Sequence, residues 1–335
     1  MCKEVLSIEN LKTYFYTSEG TSKAVDGVDY KIFPGETLGL VGESGCGKSV
    51  TALSIMRLLL EPPGKIIDGE IIFKGQDILK LNPEKMRRIR GKEISMIFQE
   101  PMTSLNPLFT IGNQITEGIL NHKDISKKEA IEQSVELLGK VEIPQAIKAM
   151  HKYPHELSGG MRQRVMIAMA ISCKPGLLIA DEPTTALDVT TQAQILDLIN
   201  KLKNEFNTSI LMITHDLGVI AEVSDWVAVM YAGKIVEYTD TKTLFSNPKH
   251  PYTWGLLRSI PRLDCEVKKL FTIPGVVPNS YDFPKGCKYS TRCSLADEKC
   301  IMHEPELEKI ENNHKVRCWH IDRLEELKNG VAKIK

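Results

Sequence analysis

Apolar and polar positions follow two rhythms along this chain, and the switches between them mark out its elements. From Val5 to Tyr16, and again from about Ala24 to Phe33, the mixture has the short period of extended chain. A turn at Ser18-Glu19-Gly20 separates the two runs, and Pro34-Gly35 closes the second, so both read as strands. Gly69 to Phe73 and Ile94 to Phe98 add two more, after a break at Glu61-Pro62-Pro63-Gly64. From Thr110 to about Met150 the spacing turns helical, carried by Ile131, Val135, Leu138 and Val141, with Pro144 expected to interrupt it. A further helix opens at Ser158 and runs through Cys173. Leu177 to Ala180 and Ile210 to Ile213 are apolar throughout, as strands buried on both faces of a parallel sheet are. The alternation predicts an α/β fold.

Composition narrows the class only a little. A length of 335 residues suits two or three domains, or one large α/β domain with an appendix. Lys and Arg together number 43, as do Asp and Glu, so no bulk basic field points to nucleic acid. No apolar run approaches the ~18 residues of a membrane span, and Met1-Cys2-Lys3-Glu4 has no apolar core of a signal peptide. A cytoplasmic protein is expected. Its eight cysteines, at 2, 46, 173, 265, 287, 293, 300 and 318, are then not expected to form structural disulfides.

The densest chemistry lies in Gly42-Glu43-Ser44-Gly45-Cys46-Gly47-Lys48-Ser49, followed by Val50 and entered from Leu38-Gly39-Leu40. Its glycines let the backbone turn tightly and bring N–H groups against phosphate oxygens. Lys48 supplies a charge for the β- and γ-phosphates and Ser49 a hydroxyl for Mg²⁺. A helix starting near Gly47 aims its positive end at the same group, so this stretch binds a nucleoside triphosphate, with Cys46 as a small side chain in the loop. One ring of Tyr14-Phe15-Tyr16 is a candidate to stack on the base; Phe15 is favoured, with Tyr14 and Tyr16 as alternatives. Gln99 ends a strand with a carboxamide at its tip. Asp181 and Glu182 end another, one suited to holding Mg²⁺ and the other to deprotonating water. His215 closes a third, within reach of a γ-phosphate. Ser158 is a plausible N-cap, and Gly159-Gly160 leave the first helical N–H groups accessible at a cost of ~1 kcal/mol per glycine in a helix interior.

Together these residues resemble the nucleotide-binding subunit of ATP-binding-cassette (ABC) transporters. Gly42 to Ser49 match the Walker A motif, Gln99 the Q-loop, Leu157 to Gln163 the signature, Leu177 to Glu182 Walker B, Ala186-Leu187-Asp188 the D-loop and His215 the H-loop. The resemblance covers about residues 4–260 and implies a parallel-sheet core with an antiparallel β subdomain and a helical subdomain at about 105–170. It also implies a head-to-tail dimer with ATP sandwiched between subunits. In that dimer Glu182 is the general base, with Gln99 and His215 beside it, and Mg²⁺ is held by Ser49, Gln99 and Asp181. Ser158, Gly159, Gly160 and Gln163 act on the partner's nucleotide, and Asp188 lies in the D-loop.

Gln99 to Pro107, His250-Pro251-Tyr252-Thr253 and Ile273 to Pro278 are similar to the peptide and nickel importer branch, as are Pro284 to Cys287 and Arg292-Cys293. That implies import of di- or oligopeptides, with nickel as the alternative cargo. The implied partners are two transmembrane permease subunits, a second, non-identical ATPase and an extracytoplasmic peptide-binding protein, at the cytoplasmic face of the membrane. From another class, a soluble ABC protein of DNA repair or translation would carry two cassettes or a long coiled coil, and neither is present.

Beyond residue 260 the chain is loop-rich, and Cys287, Cys293, Cys300 and Cys318 concentrate there. Thiolates suit Zn²⁺ or an iron–sulfur cluster. No close pair of the kind usual in structural zinc sites is present, so the spacing favours a larger cluster, and the family resemblance implies [4Fe–4S]. Zinc, with His303, His314 or His320 as ligands, and free thiols are the alternatives. Residues 261–335 are read as a small C-terminal domain with this four-cysteine site.

Overall fold

The computed structural model describes residues 3–99, 104–185, 187–260, 271–311 and 313–328. Its strands are β1 (Leu6–Thr17), β2 (Gly20–Ile32), β3 (Thr37–Val41), β4 (Gly64–Phe73), β5 (Gln76–Asp77), β6 (Ile94–Ile97), β7 (Leu177–Asp181), β8 (Ser209–Thr214), β9 (Trp226–Tyr231), β10 (Lys234–Asp240), β11 (Glu308–Glu311) and β12 (His314–Val316). Its helices are α1 (Lys48–Met56), α2 (Pro83–Ile89), α3 (Ile111–Leu120), α4 (Lys127–Lys140), α5 (Ala146–Ala149), α6 (Gly159–Ile171), α7 (Val189–Phe206), α8 (Leu217–Val223), α9 (Thr241–Ser246), α10 (Pro251–Arg258), α11 (Glu298–Met302) and α12 (Leu324–Lys328). Two compact units share them.

One unit is centred on Lys80–Met212, with Ile32–Thr37 added. β6 and β7 pair in parallel, Ile94 opposite Leu177 and Ile97 opposite Ala180, and all of these residues are buried. The mostly apolar runs thus become sheet interior, with Ser95 buried in the middle of β6 and Asp181 at the end of β7. The expected helical region is present as α3 to α6. Thr110 and Ser126 cap α3 and α4, the second through a capping box with Glu129. α3 buries Ile111, Ile115 and Ile119 at helical spacing. α4 ends at Lys140, before Pro144, as the sequence requires.

The other unit gathers Leu6–Lys31, Leu38–Leu79 and the chain from Ile213 onward. It contains an antiparallel sheet in the order β2-β1-β4-β5. In it β1 pairs with β4 through a register shift after Glu9. A second set runs β11-β12-β10-β9-β3, with β3 parallel to β9. β3, which leads into the phosphate loop, is buried along its whole length, so the loop is launched from a rigid base. The expected boundary at 260/261 abuts residues 261–270, outside those described, as are Cys2, Cys265 and Ala186. Among the described residues, no helix is long and apolar enough to cross a membrane.

Candidate functional site

The loop between β3 and α1 needs its glycines for two separate reasons. Gly42 and Gly47 take φ of 155° and 106°, where side-chain-bearing residues are strained. A β-carbon would also lie 2.1 Å from the Met230 carbonyl oxygen at Gly42, and 2.2 Å from that of Ala24 at Gly47. Gly47 is the N-cap of α1 and brings no side chain to cap it, so the first-turn amides point into the loop. The buried Lys48 donates from Nζ to the carbonyls of Gly42 (2.7 Å) and Glu43 (3.0 Å). Cys46 is buried, and burial outweighs the pull of Lys48 and pushes its thiol pKa up, as suits a packed side chain. Ser44 and Gly45 are exposed at the loop's tip, with Ser49 and Val50 half-buried in the first turn of α1.

Among the three aromatics, Tyr14 has a committed hydroxyl, which donates to Asp26 Oδ1 at 2.6 Å. The half-buried Phe15 sets its ring edge against Gly64, where a β-carbon would come within 2.9 Å of it. Tyr16 is exposed.

In the other unit, β7 carries the buried Asp181 at its end, followed by Glu182 with a positive φ of 45°. Left-handed backbone at a non-glycine residue is costly and clusters at functional sites. One oxygen of Glu182, Oε2, accepts from Gln99 Nε2 at 3.1 Å and from Thr185 Oγ1 at 3.0 Å. The Thr185 contact is one that sequence reasoning did not supply. His215 is exposed at the end of β8, and Asp216 after it caps α8 by accepting from Gly218 N–H at 2.7 Å.

Ser158 is exposed and caps α6, its Oγ accepting from Met161 N–H. Among the described residues the nearest atom to a β-carbon built at Gly159, on Leu187, is 4.0 Å away, so they leave room for a side chain there. At Gly160 the Thr191 methyl would be 3.0 Å away. Gln163 departs from expectation. It is 2% exposed, on the helix face it shares with Met166 and Ile167, and is packed within its own chain rather than exposed as Ser158 is. Asp188 caps α7 by accepting from the Thr191 N–H (2.9 Å) and hydroxyl (2.7 Å), which hold its carboxyl below the usual range.

Cys287, Cys293, Cys300 and Cys318 line one small cavity with Leu295 and Trp319, and all four are free thiols. Gly286 lets the chain fold this tightly, since a β-carbon there would lie 2.3 Å from the Cys300 carbonyl oxygen. Burial, reinforced by the neighbouring thiols, pushes Cys287 up to about 11 and Cys293 and Cys318 to about 12. Buried, convergent and unbridged thiols fit a group that binds thiolates. Of the histidines named as alternatives, His314 is drawn off, its Nε2 2.8 Å from the buried Glu237. His303 is exposed. Only His320 stays close, forming with Asp297 and Cys300 a trio whose ligand atoms lie within 4.8 Å of one another.

A β-strand–glycine loop–helix, an acid pair ending a buried strand and a glycine-opened helix define an ABC-type ATP-binding protein. Residues 25–185 match the model of the ABC transporter family, and 236–300 that of the oligopeptide/dipeptide transporter C-terminal region. The chain is 54% identical to the oligopeptide transport ATP-binding protein AppD of Bacillus subtilis, covering 94% of this chain and 96% of that protein. It is 49% identical to that organism's dipeptide transport ATP-binding protein DppD, over 97% of each. Among solved structures it resembles the dimeric ATP-binding cassette MJ0796 in a post-hydrolysis state bound to ADP and Pi. That likeness has a TM-score of 0.64 and 26% identity, over 70% of this chain and 98% of the other. This chain belongs to the ATP-binding subunits of ABC-type peptide importers. These relatives favour the peptide-import reading over a soluble repair or translation ATPase, and over nickel as cargo.

Proposed function

We propose that Glu182 is the general base of an ATPase whose turnover drives peptide import through a membrane permease. ATP hydrolysis is the activity of the family to which the chain belongs. The observation that carries the residue assignment is the pair of donors, Gln99 and Thr185, on Glu182 Oε2, which orients the carboxylate before any substrate arrives. Residues 42–50 are assigned to the triphosphate, with Ser49, Gln99 and Asp181 on Mg²⁺, His215 on the γ-phosphate and Phe15 on the base. With the Tyr14 hydroxyl held by Asp26, Phe15 or Tyr16 is the better placed ring.

Ser158 and Gly159 are assigned to the partner's nucleotide. Glycine inside a helix is unfavourable by ~1 kcal/mol against alanine, and among the described residues nothing crowds a side chain at 159. A close ligand from outside supplies the reason for glycine. Ser158→Arg is therefore expected to inactivate the site on the partner and spare its own. Mixed dimers of this variant with wild-type chains, scored for which site still turns over, test it; loss confined to the mutant's own site would reverse the assignment. The exposed Leu108 and Phe109, just before α3, offer apolar surface to the permease. The further partners are a non-identical second ATPase and an extracytoplasmic peptide-binding protein, with the chain peripheral at the cytoplasmic face.

In the C-terminal region, read as a domain over 261–335, we assign the four cysteines to a [4Fe–4S] cluster. A cluster of this kind is held by thiolates and, bound here, would cross-link a loop-rich segment with little core of its own. The chain's part is to bring the thiols together and exclude water. Because their pKa values lie well above neutrality, loading is expected to release protons and to weaken as pH falls. Anaerobic purification with metal and sulfide analysis tests this, the expected result being about four iron and four sulfide per chain. One zinc without colour would instead favour a site drawing on Asp297, Cys300 and His320. Neither metal would overturn both.

A further inference from the structure

The short stretch from Cys287 to Cys293 sends two buried cations toward the nucleotide-binding loop and the strands beside it. Arg292, with 4% of its side chain exposed, donates from Nη1 to both carboxylate oxygens of Glu43, at 3.0 and 3.1 Å. Its Nε donates to the Pro274 carbonyl at 2.9 Å, which fixes the guanidinium from behind. Lys288 donates to Asp26 Oδ2 at 2.8 Å and to the Ala232 carbonyl at 3.2 Å. Asp26 in turn accepts from Tyr14, the neighbour of Phe15. Burial works against the charge on Asp26, but the bonds from Lys288 and Tyr14 outweigh it and hold the carboxylate ionised.

Glu43 is the second residue of the phosphate loop, and it is held twice. While Arg292 grips its side chain, its backbone N–H donates to the Tyr252 hydroxyl at 2.9 Å. Tyr252 is fully buried and packed against Tyr231 and Tyr289, with ring centroids 4.7 and 5.4 Å away. A loop with glycines at 42, 45 and 47 has much backbone freedom to lose when phosphate binds. Fixing it beforehand lowers that cost, which is how preorganisation raises affinity.

We propose that Arg292 is a positioning residue for ATP binding, acting through Glu43 to hold the phosphate loop in its binding shape. The 287–293 segment is then a strap across the nucleotide site, with Lys288 on Asp26 as its second tie. This rests on the assignment of residues 42–50 to ATP, and the experiment separates the two.

The test is titration of the full chain with a non-hydrolysable ATP analogue and Mg²⁺, with melting temperature and binding stoichiometry measured on the same samples. Arg292→Met and Glu43→Gln are each expected to weaken binding about tenfold, the size of one charge-assisted pair, at unchanged stoichiometry. The double variant is expected to bind no worse than Arg292→Met alone, because both changes break one interaction. Arg292→Lys, which keeps the charge and loses the fork, should fall between. A role confined to stability would lower the melting temperature and leave the affinity of the folded fraction unchanged. Wild-type affinity in both Arg292→Met and Glu43→Gln, beside a loss in Lys48→Ala, would overturn the strap alone. Wild-type affinity in Lys48→Ala as well would overturn the nucleotide assignment. If Arg292→Met fails to fold, Glu43→Gln and Arg292→Lys decide the question.

Discussion

Glu182→Gln is expected to lower ATP turnover by about 10²–10⁴ while leaving nucleotide binding intact. The substitution keeps the side chain's shape and an oxygen that can still accept from Gln99 and Thr185, whose bonds to Oε2 measure 3.1 and 3.0 Å. What it removes is the ability to take a proton from water. Binding and hydrolysis should therefore separate. ATP should accumulate unhydrolysed, and in a sandwich dimer the closed state should persist and be visible as a larger species on size exclusion with ATP. Steady-state hydrolysis measured alongside nucleotide titration checks the split. Turnover near the wild-type rate would remove Glu182 from the role of base.

Lys48→Ala is expected to abolish tight ATP binding, by about 10²-fold or more. The Lys48 ammonium is already buried and stripped of most of its water, held by the carbonyls of Gly42 and Glu43. Transfer to phosphate oxygens exchanges neutral acceptors for charged ones without a new desolvation cost. Charge-assisted hydrogen bonds contribute ~1.5–3 kcal/mol each, and Lys48 is positioned to make more than one. Alanine removes all of them and leaves the glycine turns unchanged. Titration with a fluorescent nucleotide measures the loss, and unchanged affinity would refute the phosphate-loop assignment.

The elements around these two residues were legible in the sequence because each rests on a local cause. β7 spans Leu177–Asp181, matching the apolar run that ends in Asp181-Glu182, since a short strand buried on both faces reads as such a run. α6 opens one residue after Ser158 because a serine hydroxyl is a ready acceptor for the first free amides. What escaped was set by tertiary packing. The signature motif pairs Gln163 with a partner's nucleotide, and its helical phase sets it beside Met166 and Ile167 on the buried face. His314 is one of the alternative metal ligands the sequence offers, and Glu237 claims it across a separation of 77 residues. Arg292 and Glu43 are 249 residues apart, and a single pair at that distance leaves no periodic trace.

The four cysteines fall between these cases. Their concentration was visible in the sequence, and the cavity they share depends on Gly286 and the turn from Cys287 to Cys293. That turn places Arg292 beside one thiol and aims it at the phosphate loop, a direction no composition or spacing rule supplies.

The room around Gly159 has an evolutionary consequence. Among the described residues a methyl group there would meet nothing nearer than 4.0 Å, and alanine is the better helix former. The solitary chain would gain from the change, while under the proposed dimer a mate's nucleotide would lose its closest approach to that turn. Selection on the single polypeptide and selection on the assembled pair thus pull in opposite directions at this position. On the proposed assignment, glycine here serves a contact that lies outside the chain's own fold.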